Sequence, residues 1–113
     1  LQALTQLDTA FRIDPGSIQV MKDLGLLALS LADEDGETAT RDAYIDRASR
    51  TFRALLMQKL DDAPITKAEV FYYLAETFHR KNETKQAIQN LERALDSDKT
   101  LTKARELLTK LKG

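Results

Sequence analysis

Between Lys67 and Lys81 the apolar residues Val70, Phe71, Leu74, Ala75 and Phe78 recur at i, i+1, i+4, i+5 and i+8. That is the stripe of an amphipathic helix and not the alternation of a strand. Thr66 with Glu69 three residues later forms a capping box, in which a hydroxyl and a carboxylate satisfy backbone donors at the helix start. Ala87, Ile88, Leu91, Ala94 and Leu95 repeat the logic over a helix from about Thr84 to Ser97, with Asn82 as the turn residue between the two. At the other end of the chain, Leu4, Leu7, Ala10 and Phe11 carry a helix from the start to about Ile13, stopped by Asp14-Pro15-Gly16. Ser17 then caps a Leu-rich helix to about Asp33. The charged run Asp33-Glu34-Asp35-Gly36-Glu37 reads as a loop. After it a long helix is expected from about Thr40 to Leu60, built on Tyr44, Ile45, Ala48, Phe52, Leu55 and Leu56. A last helix from about Leu101 to Leu111 carries Leu101, Ala104, Leu107, Leu108 and Leu111 on one side. The expectation is an all-α chain of about six helices without a strand.

Composition supports this. Val occurs only at two positions, while Leu, Ala, Lys, Glu, Arg and Gln dominate, so summed propensity favours helix. At 113 residues the chain is one domain's worth of sequence and can bury a core without staples. Seventeen basic residues against eighteen acidic ones leave a formal charge of −1, which removes the electrostatic reason to expect a nucleic acid or an anionic membrane as partner. The absence of cysteine removes disulfides, thiolate metal sites and cysteine nucleophiles together. No apolar run approaches the ~18 residues of a membrane span, and no signal-peptide pattern is present. The compartment is left open, with a soluble, cytoplasmic setting slightly favoured. The chain opens in mid-pattern on Leu1 without an initiator Met, and is therefore expected to be part of something longer.

The helices repeat one another. Ala87-x-x-x-Leu91-x-x-Ala94-Leu95 is matched by Ala3-x-x-x-Leu7-x-x-Ala10-Phe11, and Phe71-x-x-Leu74-Ala75-x-x-Phe78 by Met21-x-x-Leu24-Gly25-x-x-Ala28. These residues resemble the tetratricopeptide repeat (TPR), whose first helix carries a large residue, Leu-Gly and an aromatic, and whose second carries alanines around an aromatic. The resemblance implies antiparallel helix pairs stacked as a right-handed superhelix in a single domain over 1–113. It divides into the second helix of a truncated repeat (1–15), a repeat with a long insertion (17–60), a well-matched repeat (66–98) and a capping helix (100–112). From Ile18 to the equivalent Ala68 is 50 residues, against the usual ~34 of such repeats. Small residues at Gly25 and Ala75 are expected to let the first helices approach Ala48 and Ala87 on their partners.

Enzyme chemistry has little to build on. His79 is the single histidine and reads as a polar helix-end residue. Serines 17, 30, 49 and 97 lack a nucleophile-elbow context, and no glycine-rich phosphate loop exists. The carboxylates Asp33, Glu34, Asp35 and Glu37 lack the ordered spacing of a calcium loop. From Arg80 to Lys112 nine basic residues face five acidic ones, but they are spread over several faces without aromatics for base stacking. No catalytic residue, cofactor or metal is expected, and neither a nucleic acid nor a membrane as partner.

The resemblance implies a non-enzymatic scaffold whose first helices line a groove for a peptide or a partner's helix. Carried over residue by residue, the groove candidates are Gln19, Lys22, Asp23, Leu26 and Leu29 from one helix. The next supplies Glu69, Tyr72, Tyr73, Glu76, His79 and Arg80, and the cap Lys103 and Glu106. Tyr72 and Tyr73 lie off the packing stripe, and tyrosine is an efficient interface anchor. Two readings stand for the pair: anchors for a partner or, for Tyr73 first, packing between helices. A clamp for a terminal carboxylate could use Lys22, but Leu26, Glu69 and Tyr73 occupy places where it needs polar or basic groups. The alternative to a scaffold is a structural segment that self-associates through Leu4, Leu7 and Phe11 of the truncated first helix.

Overall fold

The structure, a computed structural model, describes residues 2–113 and contains six helices and no strand among them. Leu1, where the first helix was expected to begin, lies outside the described residues. The helices are α1 (Gln2–Ile13), α2 (Ile18–Glu34), α3 (Thr38–Leu56), α4 (Lys67–Arg80), α5 (Thr84–Ser97) and α6 (Thr102–Lys112). They divide into two compact units, Leu1–Ile65 and Thr66–Gly113.

In the first unit, the Ser17 side chain caps α2 by accepting the Val20 N–H at 3.2 Å. Asp35 ends that helix, and its carboxylate accepts the Glu37 N–H at 2.8 Å, which tightens the turn into α3. A connector this short holds α2 and α3 side by side and antiparallel. Asp33 and Glu34, expected in the loop, belong to the last turn of α2. The unit's core contains Met21, Leu24 and Ala28 from α2 with Ile45, Ala48, Phe52 and Leu55 from α3. Phe52 is the largest fully buried side chain, at 0% exposure.

The close approach at Gly25 is real, and the atoms nearest to it belong to Phe52. A Cβ built on Gly25 would stand 2.6 Å from Cζ of Phe52 and 2.7 Å from Cε1, so the ring, one turn further along α3, lies flush against the glycine backbone. Two boundaries also differ from the sequence reading. α3 begins at Thr38 and stops at Leu56, four residues before the expected Leu60. Its stripe ends there: Met57 is 85% exposed, and the N–H of Gln58 turns back to the Leu55 carbonyl at 3.0 Å. Asp62, at φ 59°, then redirects the chain in the left-handed region that short polar side chains tolerate.

α1 packs on α2 and is joined to α3 by an ion pair between Asp8 and Arg47. No described residue of α1 is fully buried; Leu4, Leu7, Ala10 and Phe11 are half-buried, and Ile13 is 79% exposed.

In the second unit the capping box is complete. Thr66 Oγ1 accepts the Glu69 N–H at 3.1 Å, and the Glu69 carboxylate accepts the Thr66 N–H at 3.0 Å. Asn82, at φ 62°, makes the turn into α5. Asp98 orders the next one by accepting both the N–H and the hydroxyl of Thr100, at 2.9 and 2.6 Å. Those two hydrogen bonds hold its carboxyl below the usual carboxylate range. Ala75, Leu91, Ala94 and Ala104 form a buried cluster through which α4, α5 and α6 meet. Leu101, Leu107, Leu108 and Leu111 cover it from the α6 side, as expected of an amphipathic final helix.

Candidate functional site

The second unit brings five of the sequence-derived candidates together on α4 and α6. Tyr72 and Tyr73 are consecutive, so their side chains diverge by about 100° around the helix. Their rings nevertheless meet edge to face, with centroids 5.2 Å apart and planes at 70°. Lys103 reaches them from α6. Its Nζ lies 4.9 Å from the Tyr72 ring centroid and 4.8 Å from that of Tyr73, and donates a hydrogen bond to the Tyr73 hydroxyl at 3.2 Å. An ammonium bonded to the hydroxyl sits toward that ring's rim, so the hydrogen bond is its main tie to Tyr73, and cation–π attraction its tie to Tyr72.

The other side of Tyr72 is acidic. Its hydroxyl donates to Glu76 Oε2 at 3.3 Å, one helical turn on. Arg80 stands 3.8 Å from the same carboxylate and donates to the Glu76 carbonyl at 3.0 Å. Charges therefore alternate along the ridge: Lys103, the two phenols, Glu76, Arg80. All five side chains are half-buried, and Tyr72 packs partly against the Ala75, Leu91, Ala94, Ala104 cluster. His79, the single histidine, lies half-buried in the last turn of α4 beside Arg80, and the described residues contain no group of three or more potential metal ligands.

Partial burial pushes the Tyr72 phenol up to about 12, and the neighbouring Glu76 carboxylate adds to the rise. The unfolded chain then releases this proton near 10 while the folded chain holds it until about 12. Below pH 10 the group is neutral in both states and favours neither. As pH climbs from 10 to 12 the unfolded state binds fewer protons, and folding stability falls. Urea midpoints taken through that window will drop more steeply in the natural protein than in Tyr72→Phe. Parallel slopes would place Tyr72 in ordinary solvent.

Other candidates are otherwise engaged. Leu29 was expected in the groove but is 5% exposed, a packing residue with no surface to offer. The repeat register put it there, whereas α2 is apolar around much of its circumference. Glu69 spends its carboxylate on the capping box. Lys22 donates to the Pro64 carbonyl at 3.2 Å and ties α2 to the loop after α3. Gln19 and Asp23 bond one another at 3.0 Å, and Leu26 is half-buried. Glu106 is exposed on α6.

Sequence reasoning missed a second feature, in the first unit. A cleft of about 320 Å³ opens between α1 and α3, with Phe11, Met21, Leu24 and Ala54 as apolar lining and Arg47, Arg50 and Thr51 on one wall. The only signal for it in the sequence is the spacing of Arg47, Arg50 and Ala54 on one helical face.

No protein-family model matches this chain, and neither a curated protein nor a solved structure shows significant similarity to it.

Proposed function

We propose that the chain is a non-enzymatic, tetratricopeptide-type interaction scaffold that binds a peptide or a partner's helix on the surface around Tyr72 and Tyr73. One observation carries this. Two half-buried tyrosines, of which Tyr72 also packs on one side against the helix core, are held in an edge-to-face pair by Lys103 and Glu76. Rings ordered before a partner arrives lose little conformational entropy on binding. Each presents an apolar face with a polar tip, the combination favoured at binding hot spots. Lys103 keeps two further N–H donors for an acceptor on the partner.

The test is quantitative affinity capture with the natural chain, Tyr72→Ala and Lys103→Glu as baits. Proteins retained by the natural chain should be depleted at least tenfold on both variants. Because Tyr72 also touches the α4–α6 core, its truncation will lower the melting temperature by some degrees. Capture is therefore run where circular dichroism shows each bait folded. An unchanged retained set removes this surface from the function.

A further inference from the structure

The cleft in the first unit joins an apolar floor to a cationic wall. Phe11, Met21 and Leu24 form the floor, and Arg47 and Arg50 stand one turn apart on α3 above it. The two arginines are not equivalent. Arg47 is neutralised by Asp8 of α1, which shows a carboxylate seated at the cleft's edge. The Arg50 side chain is exposed and makes no hydrogen bond or ion pair among the described residues. Phe11 is half-buried and Met21 and Leu24 belong to the core, so the floor is a narrow apolar lining. An uncommitted guanidinium beside it is complementary to a carboxylate attached to an apolar group.

We propose that this cleft is a second docking site, for a peptide segment in which a Leu or Phe side chain adjoins an Asp or Glu. The apolar side chain enters between α1 and α3 onto Phe11 and Leu24. The neighbouring carboxylate pairs with Arg50, alongside the Asp8–Arg47 pair. A peptide fits better than a long-chain fatty acid. The volume of about 320 Å³ is at the lower limit of ligand-sized cavities and takes side chains, while the open mouth would leave most of a long alkyl chain in water. Burying an apolar side chain here also completes the packing of α1, whose apolar face is only half-covered.

A random dodecapeptide phage library panned against the natural chain tests this. The selected peptides should pair Asp or Glu with Leu or Phe within four positions. Their synthetic forms should lose at least tenfold in affinity to Arg50→Glu and to Ala54→Phe, which fills the cleft, and should weaken with salt. Arg50 is exposed and Ala54 half-buried, and unchanged circular dichroism melts for both variants confirm that folding is intact. Several outcomes overturn the proposal: an empty selection, peptides bound undiminished by both variants, or peptides lost on Tyr72→Ala instead. Saturable binding of decanoate that displaces the peptides would assign the cleft to lipid. Concentration-dependent dimerisation abolished by Arg50→Glu would assign it to a second copy of the chain. The Tyr72 surface can fail its own test without affecting this one, because the two sites share no residue.

Discussion

Phe52→Ala will destabilise the protein by about 4 kcal/mol, the range found when a large aromatic is cut out of a core. The ring is fully buried on α3 and fills the space that Gly25 leaves open on α2. Its removal deletes packing against both helices of the pair. The cavity closes poorly, since a glycine on the facing helix has no side chain to move into the void. Domains of this size are stable by roughly 5–15 kcal/mol, so the loss consumes a large share of the margin. Urea unfolding followed by circular dichroism should show the midpoint fall with little change in slope. A loss under about 1 kcal/mol would mean that the ring is not locked between α2 and α3.

The helices were legible in the sequence wherever a local device set them. Thr66 and Glu69 named the start of α4 through a capping box that needs only its own four residues, and Ser17 did the same for α2. Asn82 and the Asp14-Pro15-Gly16 run marked their turns for equally local reasons. The end of α3 was not legible. Leu60 continues the apolar period, and only the tertiary environment, which leaves Met57 in solvent, shows that the helix has already stopped.

The candidate surface divides along the same line. Helical period alone put Tyr72 and Tyr73 outside the packing stripe. Their coupling to Lys103, thirty positions later on α6, depends on how the connector after Ser97 folds that helix back. Likewise Leu29 stood in a groove position by repeat register and proved to be core. The Asp8–Arg47 pair and the cleft it edges join residues distant in the chain, and no periodicity encodes them.

Gly25 shows how far a pattern reaches, and supplies the second large effect. Sequence reasoning found a small residue where two helices come close, but it named Ala48 as the neighbour. Against an alanine, a methyl group on Gly25 would be tolerable, and the better helix propensity of alanine, worth about 1 kcal/mol, would make Gly25→Ala stabilising. Against Phe52 the sign reverses. The new Cβ is fixed to the α2 backbone and would stand 2.6 Å from a fully buried ring, so either the ring leaves its rotamer or the helices separate. Overpacking of this kind costs typically 1–3 kcal/mol and occasionally more, and the propensity gain offsets only part of it. Gly25→Ala is therefore expected to lose about 2 kcal/mol.

The two sites must also couple. In a Phe52→Leu background the ring is gone, and the added methyl occupies part of the space it vacates. The second substitution should then cost far less than it does in the natural protein, giving a double-mutant interaction above ~1 kcal/mol. Additive effects would show that the methyl and the ring do not compete for one volume, and Gly25 would have to be explained by something other than the approach of α3.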